Sequence, residues 1–177
     1  MHVIGYIKNA LDYGITYSCN HDINPLAFVN TDYGGCRDTH QLTSGYVFMM
    51  TGGVVTGSSK WQATVALSTV KVEYVTMSQC TQQMVWMQNW LDEAEVECMH
   101  PGIIKGDSHG VIALMKHTQD HGKVKHIDIW HHYIHDLIWS GAIIIEQVPS
   151  SDNLANVFAK PLTHDHHHQI LLSLNIQ

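Results

Sequence analysis

Residues 68–95 read STVKVEYVTMSQCTQQMVWMQNWLDEAE, and the reading of this stretch decides the fold. Val70, Met77, Cys80, Met84, Met87, Leu91 and Ala94 recur at steps of three and four, broken only by Glu73. That spacing is one face of an α-helix. Gln79, Gln82, Gln83, Gln88 and Asn89 fall opposite, and no Gly or Pro interrupts the run. Ser68 or Thr69 can cap the start by accepting from backbone N–H groups that have no helical partner. The spacing therefore predicts a helix from about Ser68 to about Glu95. Its methionine-rich row is a core face rather than a cofactor box. So long an amphipathic helix needs a broad apolar surface to lie on.

The flanking segments supply candidate strands for that surface. Leu26–Asp32 (LAFVNTD) and Gly45–Met50 (GYVFMM) read as strands. Val54–Lys60 returns after the turn Thr51-Gly52-Gly53, which makes an antiparallel meander. Tyr33–Ser44 reads as a loop. Beyond the helix, Ile103–Asp107 and Ala142–Val148 are further strands. Ser108–Lys116 and His126–Ser140 are helices, with Ile127, Trp130, Ile134, Leu137 and Ile138 on one face of the second. Asp152 can cap a helix running to about Ala159, stopped by Pro161. His164–Leu174 is a last helix. Met1–Ser18 reads as a short helix, a turn and a strand with no partner of its own. The order is three strands, the long helix, then strands alternating with helices: an α/β chain with a mixed sheet flanked by helices.

Composition narrows the function. The 177 residues suit one domain, with 45% apolar and 14% charged residues. No apolar run reaches the roughly 18 residues of a membrane span, and no signal-peptide pattern opens the chain. The expectation is an intracellular protein, of cytoplasm or nucleus, neither secreted nor membrane-spanning. Cys19, Cys36, Cys80 and Cys98 form no CxxC pair and read as reduced thiols, Cys80 in the core. The formal charge of -7 is a poor footprint for a nucleic-acid binder. The chain has 15 His but a single Arg, Arg37.

The runs DYGITYS, GGCRDTHQLTSGYVFMMTGG, SSKWQATVALSTVKVEYVTMS, KHIDIWHHYIHD and VPSSDNLANVFAKPL occur in this order along the chain. Together they resemble the ribonuclease H domain at the end of copia-type retrotransposon Pol polyproteins. The resemblance spans roughly residues 5–174, far more than one short motif. It implies a ribonuclease H-like α/β fold with a five-stranded mixed sheet, three antiparallel strands and then two further strands. It also implies that residues 1–20 are the tail of the preceding reverse transcriptase and residues 21–177 the ribonuclease H-like domain. Members of this family cleave the RNA strand of RNA–DNA hybrids with two divalent ions, Mg2+ or Mn2+, held by four acids. One ion activates the attacking water and the other steadies the leaving oxygen.

Carried onto this sequence, the family's acids fall on Asn30 in FVNTDYGG, Lys71 in STVKVEY (near the family's STEAEY), Asp107 in KGDSHG and Asn156 in DNLANVF. Only Asp107 is still an acid. Asp107 and Lys71 sum to no net charge, where a metal pair needs four negative charges, and an ammonium group repels a cation. Asp32 and Glu73 are weak substitutes. Asp32 points the same way as Asn30 but about 7 Å further along the strand. Glu73 lies about 200° around the helix from Lys71 and is expected to face elsewhere. The expected function is a ribonuclease H relic in which hydrolysis, the metal pair and hybrid affinity are weakened or lost. The alternative is a non-enzymatic remnant that binds nucleic acid, metal or a partner.

Asp to Asn, Glu to Lys, Arg to His or Gln, and Ala to Val or Thr each follow from one G-to-A or C-to-T change. Arg positions of the family fall here on His135, Trp130 and the run His164–His168, which fits the single Arg. His131 and His135, four apart on a helix, could form a metal pair, but a solvated helix face is the plainer reading. The run at His164 can hold metal adventitiously. Lys123 and Lys125 read as solvated. Gly57 stands where the family has Trp, and Val72 where it has Ala, so packing is expected to suffer.

Overall fold

The computed structural model describes residues 2–19, 22–32, 42–61, 69–96, 98, 101–116 and 128–177. It gives no account of the side chains of residues 2, 3, 9, 69–71, 114–116 and 128–131.

The strands are β1 (Leu26–Asp32), β2 (Thr43–Met50), β3 (Gly53–Trp61), β4 (Gly102–Gly106) and β5 (Ile143–Gln147). They form a single sheet in the order β3-β2-β1-β4-β5. The β1–β2 and β2–β3 pairs are antiparallel; β1–β4 and β4–β5 are parallel. The helices are α1 (His2–Asn9), α2 (Thr69–Glu93), α3 (His109–Lys116), α4 (Asp128–Trp139), α5 (Asn156–Ala159) and α6 (His164–Ser173). The meander, the long helix and the two later strands are where the sequence puts them. Residues 33–41 of the expected loop Tyr33–Ser44 lie outside the described residues, and its end, Thr43 and Ser44, belongs to β2 instead. The polar loop expected at 118–125 also lies outside the described residues.

Alternation along β1 builds two cores. Ala27 and Val29 face α2, α3 and α4, joining Phe48, Met77, Cys80, Met84, Met87, Ile104, Ile134 and Ile143. Phe28 and Val47 face the other way, against Ala155, Ile170 and Leu174 of the C-terminal segment. Strand residues point alternately to the two faces, so one strand serves both layers. The methionine row of α2 is therefore core: Met77, Met84 and Met87 are buried, as is Leu91. Cys80 is buried too, and burial pushes its thiol well above the usual range. Burial does the same to the Tyr74 hydroxyl.

Two glycines let the C-terminal layer come close to the sheet. A Cβ on Gly45 of β2 would lie 2.8 Å from the Phe158 carbonyl carbon and 3.0 Å from the Ala159 nitrogen. α5 therefore rests directly on the sheet there. At Gly57 of β3, the Phe158 ring occupies the space over the missing side chain, 3.0 Å from where a Cβ would sit. The position where the resemblance implies Trp is thus covered by Phe158.

Some details differ from the sequence reading. Gln88, placed on the polar face, is buried, and its Nε2–H donates to the Ala142 carbonyl at 3.1 Å. Ala94, at the end of the apolar row, is exposed. Asp152 caps no helix; it sits in a 3-10 turn, Ser150–Asp152, and α5 begins only at Asn156. The N-terminal segment does have partners. Gly14 exchanges backbone hydrogen bonds with Gln177, Thr16 N–H donates to the Asn175 carbonyl, and Ser18 N–H to that of Thr51. What the sequence suggests as a strand is one bridge, Ile15 to Ile176.

Candidate active site

β1 and β4 run parallel side by side, with Val29 opposite Gly106. Their C-terminal ends, where the chain leaves in opposite directions, are the natural place for a site in an α/β sheet. A cavity of about 20 Å³, room for one water or one small ion, opens there. Asn30, Glu73, Asp107 and Ser108 supply its polar lining; Val29, Met77 and Val111 supply its apolar wall. Asp107 follows directly on β4, and Ser108 precedes α3.

Glu73 is thus inside the site, against the expectation that it faces elsewhere. The 200° separation from Lys71 is sound helix geometry, and it is Glu73 that lines the cavity. The apolar row Val70, Met77, Cys80 already marked the face of α2 that meets the sheet, and Glu73 is the polar residue in that row. Its Oε2 accepts from the Ser108 hydroxyl at 2.6 Å, which ties α2 to the end of β4. Lys71 lies in the first turn of α2, and its side chain is outside the described residues. Asp32, at the end of β1, is half-buried and is not part of the cavity lining.

Asn30 and Asn156 come together although 126 residues apart, both buried. Asn30 Nδ2–H donates to Asn156 Oδ1 at 2.5 Å. The Thr31 backbone N–H donates to Asn30 Oδ1 at 2.8 Å. Asn156 Nδ2–H donates to the Ser150 carbonyl at 2.6 Å. Each amide is therefore oriented by its outer partner, and the two meet as donor to acceptor. Sequence reasoning missed Asn153, which is fully buried beside them. Its Nδ2–H donates to the Val29 carbonyl at 2.9 Å, and its Oδ1 accepts from Ala155 N–H at 3.1 Å. Its only trace in the sequence is an Asn where an apolar residue would suit a buried helix entry. Thr76 was missed as well. Its hydroxyl donates to the Val72 carbonyl and receives Thr31 Oγ1 at 3.1 Å and Ser44 Oγ at 2.7 Å, joining α2 to β1 and β2.

A pair of divalent ions does not fit this set. The facing oxygen of Asn156 is taken by an N–H, that of Asn30 by Thr31, and one oxygen of Glu73 by Ser108. Two carboxylates remain, Glu73 and Asp107, against the four charges that two such ions call for. Among the described residues no three His, Cys, Asp or Glu side chains gather as a metal-binding group. His135 is buried in α4, so it does not belong to a solvated face, while His132 beside it is exposed. On α6 the His164 and His168 rings stack with centroids 6.5 Å apart. Lys123 and Lys125 lie outside the described residues. No helix among the described residues is long and apolar enough to cross a membrane.

No protein-family model matches the chain. Two retrovirus-related Pol polyproteins of Arabidopsis thaliana, from transposons RE2 and RE1, are similar to it at 28% and 27% identity over 161 residues. That is 91% of this chain but only 11% of either relative. Among solved structures, it is similar to the N-terminal RNase H domain of Rv2228c from Mycobacterium tuberculosis, with a TM-score of 0.55 and 16% identity. The match covers 86% of this chain and 99% of that one. It is also similar to LC11-RNase H1 in complex with an RNA/DNA hybrid, with a TM-score of 0.52 and 10% identity over 76% of this chain and 93% of that one. The chain thus carries the ribonuclease H fold and is homologous to one segment of the Pol polyproteins of transposons.

Proposed function

We propose that this chain is the ribonuclease H domain of a retrotransposon Pol polyprotein, shaped to lie along an RNA–DNA hybrid but disabled for two-metal hydrolysis. The observation that carries this reading is the Asn30–Asn156 hydrogen bond. At two of the four family acid positions, neutral amides face each other and close on themselves.

The helix acid is reassigned in this reading. Glu73, which lines the cavity with Asp107, takes that role in place of Lys71. Two of four acids then survive. Glu73 and Asp107 can attract a single cation weakly, but they cannot balance two. Residues 1–20 are read as the end of the upstream reverse transcriptase segment. The likeness to a hybrid-bound ribonuclease H suggests the same ligand here. The net charge of -7 and the single Arg argue for weak, salt-sensitive binding. In a cell such a domain would work where its polyprotein does, in the cytoplasm or nucleus.

The test is cleavage of a labelled RNA–DNA hybrid in Mg2+ or Mn2+, wild type beside Asp107→Asn, with circular dichroism to establish that both are folded. No cleavage from folded wild type is the expected result. Cleavage by wild type that Asp107→Asn abolishes would show a working metal centre and overturn the reading.

A further inference from the structure

We propose that the Asn30–Asn156 pair is a metal-free tie: a neutral amide clasp joins β1 to α5 where paired carboxylates would need a cation between them. This inference rests on the ribonuclease H reading of the site and adds to it how the fold survives the loss of the metal.

The directions of the hydrogen bonds carry the inference. Thr31 N–H holds the oxygen of Asn30, so Asn30 must present its NH2 inward. The Ser150 carbonyl holds the NH2 of Asn156, so Asn156 must present its oxygen. The inward groups are therefore complementary, and they meet in a buried place. A single Asp breaks the arrangement at either end. Asn30→Asp sets a carboxylate oxygen against the Asn156 oxygen. Asn156→Asp sets one against the Ser150 carbonyl. Two carboxylates within hydrogen-bond reach cannot both stay ionised without a proton or a cation between them. Only Asn at both positions closes every bond without an ion. The two replacements are thus coupled, and each is tolerated because of the other.

The test is thermal unfolding of the full chain, with and without MgCl2, MnCl2 or CaCl2, for wild type, Asn30→Asp/Asn156→Asp and Asn30→Ala. The expected wild-type Tm does not respond to the ions. The double variant is expected to melt lower without ions. It should recover on titration by roughly 5–10 °C at about one hundred times the Kd. Asn30→Ala should melt lower than wild type and gain nothing from any ion. If the double variant purifies unfolded, refolding is attempted with and without MnCl2, and folding only with the ion supports the tie.

Four results overturn it: a wild-type Tm that rises with the ions as far as the double variant's, a double variant that melts like wild type without ions, a double variant that does not refold even with MnCl2, or Asn30→Ala that melts like wild type. Hybrid cleavage separates the two readings. Cleavage by wild type defeats the disabled-nuclease reading, whereas a wild-type Tm that rises with the ions, without cleavage, defeats only the tie.

Discussion

Gly45→Ala tests how α5 delivers Asn156 to the end of β1. In extended backbone an added methyl usually stabilises, by about 0.4–1 kcal/mol, because it restricts the unfolded chain. Here the methyl would meet the Phe158 carbonyl carbon and Cβ at 2.8 Å and the Ala159 nitrogen at 3.0 Å. Two of the three are backbone atoms and cannot rotate away, so α5 must move by several tenths of an ångström. Overpacking of this kind costs about 1–3 kcal/mol. Displacing α5 also strains the bonds of Asn156 to Asn30 and Ser150, at about 1 kcal/mol each. The expected net loss is roughly 2–4 kcal/mol, a fall of about 1–2 M in the urea midpoint at a typical slope. Gly110→Ala in α3 is the control. Its methyl meets nothing within 4 Å, so the change should raise stability by ~0.5 kcal/mol. Urea unfolding followed by far-UV circular dichroism reads both. A neutral or stabilising Gly45→Ala, with Gly110→Ala behaving as expected, would refute the seating of α5 on β2.

Met84→Ala, at a fully buried position of α2, should cost about 2–5 kcal/mol in the same assay; a loss under ~1 kcal/mol would mean the α2 face is not core. Gln88→Ala removes one of two donors to the Ala142 carbonyl, which the Gly102 N–H still holds, and should cost about 0.5–1.5 kcal/mol, read from the urea midpoint. Native-state maleimide labelling read by mass spectrometry should modify the exposed Cys19 and spare Cys80, whose thiol burial holds protonated; equal labelling would refute that burial. The same raised thiol has a pH consequence. The folded state keeps a proton that the unfolded chain releases, so its stabilisation is complete below roughly pH 9 and lost as pH rises beyond it. Cys80→Ala should therefore flatten the alkaline limb of a Tm-against-pH curve, and an unchanged limb would count against the shift.

Periodicity made most of the fold legible. The three- and four-step row in α2 and the two-residue alternation of β1 each name a buried face, and both faces are where the structure has them. The residue types of the site were legible, but the direction of Glu73 could be read two ways. Glu73 stood in the apolar row of α2, so helix geometry alone turned it toward the sheet. The resemblance to STEAEY, a pattern with two spaced acids, instead pointed to Lys71, from which Glu73 would face elsewhere. A short motif with two candidate acids does not fix which of them faces inward, whereas the surrounding apolar spacing does. Gln88 shows the opposite limit. Its polarity placed it outside, but a long amide side chain can be buried wherever it finds a carbonyl, and Ala142 provides one from 54 residues away. The bonds of Asn153 to Val29 and of Asn156 to Asn30 span more than 120 residues, a tertiary path that no local pattern encodes.

On the proposed reading, the same replacements that remove metal chemistry leave the fold in place. Asp to Asn and Arg to His are single transitions, the changes expected when methylated cytosines deaminate in a silenced element. Among such changes Asp to Asn keeps the shape of the side chain and adds a donor. At Asn30 and Asn156, on that reading, it removes the charge that metal chemistry needs while supplying the hydrogen bond that packing needs. At His135, where the resemblance has Arg, the imidazole is buried in α4, a place where a guanidinium would need a charged partner. A lineage decaying this way should lose its acids and arginines well before its core. The coding sequence tests this directly. Against intact copies of the element, substitutions should be mainly C-to-T and G-to-A changes at CpG sites, at core and site codons alike. An excess of transversions would mean that the Asn pair arose by some other route.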